Sequence, residues 1–162
     1  MPYAPELTTL GYILSPDRRR VLLVHRISRS DDEQLGKYNG LGGKVEPGED
    51  IAEAMRREIR EEAGIEVTDM ELRGTVSWPG FKGRDVFGFV FLVTAFDGEP
   101  SEASEEGPLG WHDVSMVMDL PMWDGDRHFV PLVFDETVRQ FHGVIPYDGG
   151  TSVDDAWRMS LL

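Results

Sequence analysis

Residues Gly42–Ile65 read GGKVEPGEDIAEAMRREIREEAGI. The second half has the period of an amphipathic helix, Asp50–Ala63, with Gly64 placed to end it as a C-cap. With Ile51 at zero and about 100° per residue, Ala54, Met55 and Ile59 fall at about −60°, +40° and +80° and define a buried arc. Glu58 and Glu62 fall inside that arc, at about −20° and +20°, and Glu61 lies at its edge near −80°. Burying an unpaired carboxylate is costly, and two of them one turn apart repel. Two ordinary arrangements would answer this. The helix could sit at the rim of the core with these side chains bent to water, or Arg57 could pair with them; Arg56 and Arg60 point to the opposite face. A third arrangement is chemical. Carboxylates at i, i+3 and i+4 supply the oxygens that a hard divalent cation such as Mg²⁺ or Mn²⁺ prefers. Gly40, Gly42, Gly43 and Gly48 let the preceding backbone approach an ion or a phosphate closely. The stretch is not a Walker A loop, because Gly43-Lys44 is followed by neither Ser nor Thr.

The 162 residues suffice for one domain with a real core, and we read residues 1–162 as a single domain. The absence of cysteine excludes disulfide scaffolds, thiolate metal sites and cysteine nucleophiles, and it suits a reducing cytoplasm. The N-terminal residues lack a signal-peptide pattern, and Val86–Phe96 is too short and interrupted to cross a bilayer. The net charge of −14 opposes stable binding of nucleic acid or anionic membrane. An anionic ligand therefore needs a local reversal of sign, which metal ions provide. The expected partner is a small molecule, and the protein a monomer or homodimer.

Along the chain, Glu6–Ser15 and Arg20–Ile27 read as strands and Ser28–Gly36 as a polar surface loop. Met70–Trp78 and Asp85–Phe96 read as strands joined by the turn PGFKGR, followed by the acidic loop DGEPSEASEEGP and a short strand Leu109–Asp113. Val130, Val133, Phe134 and Val138 have helical spacing and predict a second helix over Asp126–Gln140. Phe141–Tyr147 and Val153–Met159 predict a closing hairpin. Mixed strands and helices of this kind imply a layered structure.

The opening stretch fits the pattern G-x5-E-x7-R-E-U-x-E-E-x-G-U (U aliphatic) at every defined position: Gly43, Glu49, Arg57, Glu58, Ile59, Glu61, Glu62, Gly64 and Ile65. It thereby resembles the Nudix hydrolases, which cleave a nucleoside diphosphate linked to a further moiety. The resemblance implies an α+β fold, an α/β/α sandwich with a mixed, curled sheet between helices. It implies Mg²⁺ as cofactor, with Mn²⁺ as a substitute, and attack of water on a phosphorus. Glu58, Glu61 and Glu62 become metal ligands, joined by the carbonyl of Gly42. Arg57 orients carboxylates, Glu49 among them. The general base is Glu58 or a glutamate of the acidic loop.

Beyond this box, GKYNGLGGKVEPGE, FVFLVTAFDGEP and PMWDGDRHFVPLVF are similar to 8-oxo-dGTP diphosphatases, enzymes of nucleotide-pool sanitation allied to DNA repair. This implies hydrolysis of a purine nucleoside triphosphate to monophosphate and pyrophosphate. Asn39 then reads the purine edge, Trp123 stacks on the base, Asp126 hydrogen-bonds it, Glu106 joins the metal site, Arg26 lines the pocket and Trp78 forms a wall. Gly43 and Lys44 are the box-proximal substrate contacts. Each has an ordinary reading too. Trp123 could be core, Asp126 a helix N-cap, Glu106 a solvated acid and Asn39 a turn residue. The chain also departs from these relatives: Gly125 replaces a second aspartate, and the loop Ser28–Lys37 is longer. Two other functions compete. One is a Nudix pyrophosphatase for ADP-ribose or dinucleoside polyphosphates, weakly hinted at by Pro79. The other is a non-catalytic nucleotide-binding Nudix module, opposed by the intact set of box glutamates.

Overall fold

A computed structural model describes residues 1–162. Its strands are β1 (Glu6–Leu14), β2 (Arg20–His25), β3 (Tyr38–Asn39), β4 (Leu41–Lys44), β5 (Glu66–Phe81), β6 (Arg84–Asp97), β7 (Ala103–Ser104), β8 (Gly107–Asp113), β9 (Phe141–Val144), β10 (Tyr147–Asp148), β11 (Thr151–Ser152) and β12 (Arg158–Leu161). Helix α1 covers Ile51–Ala63 and the single turn α2 covers Val130–Val133. The main sheet runs β12-β9-β5-β6-β1-β2-β8-β7, with β3 against β2 and β4 against β1. It is mixed: β1 lies parallel to β6 and β5 parallel to β9, while the other neighbours are antiparallel. No helix is long and apolar enough to cross a membrane.

Alternation along the central strands builds two cores. Ile13, Leu22, Phe91 and Val93 face α1 and bury Met55, Ile59 and Ala63. Tyr12, Leu14, Val21, Leu23, Val90 and Leu92 face the other way, onto Trp123, Phe129, Val133 and Phe141. The result is an α+β sandwich about a mixed sheet. Helix α1 starts where the capping chemistry says it should: Asp50 accepts from Glu53 N–H, and the Glu53 side chain accepts from Asp50 N–H. It stops at Gly64, whose φ of 70° closes the last turn.

Three expectations are corrected. The hairpin β5–β6 runs through PGFKGR to a tight turn at Lys82-Gly83, because a register shift between Trp78 and Phe81 absorbs Pro79 and Gly80. The closing hairpin forms, but it is interrupted. β9 pairs antiparallel with β12, and nested inside them β10 pairs with β11 about the turn at Gly149-Gly150. The second arm is therefore Thr151–Ser152 and Arg158–Leu161 rather than Val153–Met159, and β9 also lies parallel to β5.

The long helix over Asp126–Gln140 is absent. A 3₁₀ segment, Asp124–His128, and α2 stand in its place, with Pro131 near the start of α2. Arg73, on β5, supplies the physical reason. Its guanidinium donates to the carbonyls of Leu132, Val133, Asp135, Val138 and Arg139 at 2.7–3.1 Å. Those carbonyls turn inward to a buried cation instead of along a helix axis. The outer layer on this side is therefore irregular chain held by one arginine.

Candidate active site

Helix α1 presents Arg57, Glu58, Glu61 and Glu62 toward β4, and the box arginine organises the acids around it. Its Nε and Nη2 hold both oxygens of Glu49 at 2.6 and 2.9 Å, Nη1 reaches Glu58 at 2.9 Å and Glu61 at 3.4 Å, and Nη2 donates to the Lys44 carbonyl at 3.1 Å. Arg57 drives the Glu49 carboxyl down to about 2. Glu49, with both oxygens occupied, is suited to orienting Arg57 rather than to receiving a proton. Glu58 is pushed upward by burial, against the pull of Arg57. Glu62 is pushed up to about 8, chiefly by burial and then by the charges of Glu106 and Glu58; Arg26 and the Gly42 backbone offset this in part.

Two glycines set the clearance here. A Cβ on Gly43 would come within 2.5 Å of a Glu58 carboxylate oxygen, and one on Gly42 within 1.9 Å of the Thr9 carbonyl. Glycine is thus what brings the β4 backbone against the acidic face of α1. The donors suit a hard divalent cation, since they are all oxygen and their mutual repulsion is what such an ion would relieve. They are not drawn into a ready cluster of three. Arg57 engages Glu58 and Glu61, and the Glu61 side chain remains 60% exposed. Glu106 lies on the other side, ion-paired through Oε2 to Arg26 Nη1 at 2.5 Å.

Next to this acidic region lies a cleft of about 240 Å³. Arg26, Asn39, Gly42, Gly43, Lys44, Trp78, Trp123 and Asp126 all line it, which unites every residue expected to contact substrate. The aromatic end is tightly built. Phe81 stands edge-on to Trp123 (4.8 Å between centroids) and to Tyr147 (5.0 Å), and Trp78 packs against Phe129 at 5.9 Å. The ammonium groups of Lys37 and Lys82 lie 5.0 and 5.6 Å from the Trp123 centroid. Trp123 is only 7% exposed, so it belongs both to the core and to the cleft wall.

Asp126 is not a helix N-cap. It sits buried within the 3₁₀ segment, and burial followed by the charge of Asp124 pushes its carboxyl up to about 7. At neutral pH it can thus donate or accept a hydrogen bond. The missing second aspartate also has a cause. A Cβ on Gly125 would meet the Tyr147 hydroxyl at 2.5 Å, and that hydroxyl accepts from Gly125 N–H at 3.0 Å.

Tyr147, Phe81, Lys37, Lys82 and Gln34 escaped sequence reading. Nothing local marks them; the long hairpin, β10 and the Ser28–Lys37 loop bring Phe81, Tyr147 and Gln34 to the cleft lining and Lys37 and Lys82 over the Trp123 ring.

The raised carboxyls fix a pH dependence. Glu62 and Asp126 hold protons more tightly folded than unfolded, where their ordinary values are 4.5 and 3.8. Their contribution is complete below those values and is lost as pH rises through about 8 and about 7, respectively. Glu49 acts oppositely, losing its contribution as pH falls from 4.5 toward about 2. Thermal melts of metal-free protein should therefore peak at mildly acidic pH and decline toward pH ~8. A melting temperature that rises across that interval would contradict this electrostatic picture.

Comparison with known proteins agrees with the fold and the box. Residues 5–133 match the NUDIX domain family. The chain is 34% identical over 151 residues to an uncharacterized Nudix hydrolase, YvcI, of Bacillus subtilis, covering 91% of this chain and 89% of that protein. It is 32% identical over 148 residues to the oxidized purine nucleoside triphosphate hydrolase of Danio rerio, covering 91% and 90%. Among solved structures, a MutT protein from Bacillus halodurans superposes with a TM-score of 0.82 at 30% identity, covering 96% of this chain and 97% of that one. With the acidic helix, its glycine-lined approach and the cleft beside them all in place, the chain belongs to the Nudix hydrolase family.

Proposed function

We propose that the protein hydrolyses purine nucleoside triphosphates, 8-oxo-dGTP foremost, to the monophosphate and pyrophosphate, as a nucleotide-pool enzyme of the cytoplasm. The observation that carries this reading is the convergence of Asn39, Trp123 and Asp126 in one cleft that opens onto Gly42 and Gly43. The zebrafish relative, named for oxidized purine nucleoside triphosphates, supports it. The partner is a small nucleotide, with no stable nucleic-acid or membrane binding, and the protein works as a monomer or homodimer.

In this reading the base enters against Trp123, with Asn39 and Asp126 along its polar edge. The phosphates run toward Gly43 and Lys44. Glu58, Glu61, Glu62, Glu106 and the Gly42 carbonyl would hold Mg²⁺, which when bound polarises phosphate oxygens and acidifies water. Water adds to a phosphorus of the linkage between nucleoside monophosphate and pyrophosphate. The bridging P–O bond breaks, monophosphate and pyrophosphate separate with the water oxygen on whichever phosphorus was attacked, and the water proton passes to a carboxylate. Glu58 suits this last role because burial raises its proton affinity while Arg57 keeps it oriented. Arg57 is itself held by Glu49.

The test is a hydrolysis panel of normal and oxidised nucleoside triphosphates with ADP-ribose and diadenosine polyphosphates. Asn39→Ala and Asp126→Ala should each lower kcat/KM on the preferred purine nucleotide by roughly ten- to hundredfold, and much less on a pyrimidine nucleotide. Equal losses on all bases would remove base readout from these residues, and preferred cleavage of ADP-ribose would replace the substrate reading. Exhaustive chelation should abolish turnover, with Mg²⁺ restoring it. Full activity after chelation would sink the mechanism.

A further inference from the structure

Gln34 sits in the loop between β2 and β3 and lines the cleft. Its Oε1 accepts from Asn39 Nδ2 at 2.9 Å and from Trp123 Nε1 at 3.2 Å. An indole N–H can only donate, so the Gln34 atom facing it must be the oxygen. The Asn39 atom facing that same oxygen must then be its nitrogen. Asn39 is left with its carbonyl oxygen and one N–H for a ligand. An amide flip would set two oxygens against each other.

The loop that carries Gln34 is itself anchored. Asp32 Oδ1 accepts from the Gln34 backbone N–H at 2.9 Å, and the Asp32 carboxylate takes two bonds from Arg26, at 2.7 and 3.2 Å. Arg26 in turn pairs with Glu106. A continuous line of polar contacts thus runs from the acidic region to the aromatic end of the cleft, with Gln34 as its last member.

We propose that Gln34 is a specificity-determining positioning residue, which fixes the amide of Asn39 and the indole of Trp123 and so sets which base edge the cleft accepts. The proposal rests on the purine-nucleotide reading above. Oxidation at C8 of guanine turns N7 from an acceptor into a donor. Asn39 held with its oxygen free meets that donor. Released from Gln34, it can turn its NH₂ to the acceptor of the ordinary base instead.

The experiment compares the wild type with Gln34→Leu, which keeps volume and loses the acceptor, and Gln34→Glu, which keeps acceptor oxygens. The first readout is the Trp123 indole N–H resonance of ligand-free protein, assigned by its loss in Trp123→Phe. It should shift and exchange faster with solvent in Gln34→Leu and stay near its original position in Gln34→Glu; the rest of the spectrum reports the fold. The second is the ratio of kcat/KM for 8-oxo-dGTP over dGTP. It should fall about tenfold in Gln34→Leu, through KM, and recover to within about threefold in Gln34→Glu. An unmoved indole resonance, an unchanged ratio, or a loss that dCTP shares equally would overturn the proposal. If the wild type itself shows no purine preference, the substrate reading fails and the specificity claim falls with it; the indole resonance alone then decides whether Gln34 holds Trp123.

Discussion

Glu62→Gln is expected to leave the protein folded and to lower kcat by at least about a hundredfold. Glutamine keeps the volume and removes the charge that would hold a cation between α1 and the Glu106 side. Stability should move the other way. In the metal-free protein Glu62 is half-buried beside Glu58 and within the field of Glu106, and its carboxyl is pushed up to about 8. Replacing it with a neutral amide should stabilise that form by on the order of 1–3 kcal/mol at pH ~8, and by much less at pH ~5, where the carboxyl is already protonated. Paired urea unfolding at the two pH values, with turnover in Mg²⁺, measures both. A variant with wild-type turnover would make the helix carboxylates structural. A variant less stable at both pH values would mean that Glu62 is satisfied without a cation.

Arg73→Ala should have the opposite profile: severe loss of stability and little loss of chemistry. The guanidinium satisfies five carbonyls from Leu132 to Arg139, and its side chain is 7% exposed. Alanine would strip those carbonyls of their donor inside the fold, at a cost of about 3–5 kcal/mol. Arg73→Lys should fall between, because an ammonium offers fewer donors in the wrong geometry. Arg73 lies outside the cleft, so turnover per folded molecule should be largely retained at low temperature. A destabilisation below about 1 kcal/mol would show that the segment holds itself.

The same arginine explains where sequence reading stopped. Helix α1 was legible because its information is local: Gly64 ends it, and Ala54, Met55 and Ile59 repeat along one face, while Asp50, read as its first residue, is its N-cap. The central strands were legible through their alternation. The Val130–Val138 segment carries the helical period, and Val130, Val133 and Val138 are indeed buried. Its carbonyls, though, are claimed by a residue on β5, and periodicity does not report a partner so distant in sequence. The residues that the family pattern grouped together, Asn39, Trp123 and Asp126 among them, do line one cleft. Gln34 was not legible, because a glutamine in a polar loop looks solvated, and one of its two partners, Trp123, lies 89 residues away.

The clearance at Gly42 and Gly43 bears on how far this enzyme can be altered. At Gly42 the first carbon of any side chain collides with the Thr9 backbone, and at Gly43 it would push the Glu58 carboxylate out of its place beside Arg57. A saturation library should therefore return almost only glycine there, whatever substrate is used for selection. The opposite end of the cleft is built differently. Gln34 and Asn39 meet there through side-chain ends, and such groups can be exchanged without moving backbone. On the proposed nucleotide reading, selection for a new base should thus draw its variants from that end while the glycine end stays fixed, so that the reaction is held constant and the substrate range remains open to evolution.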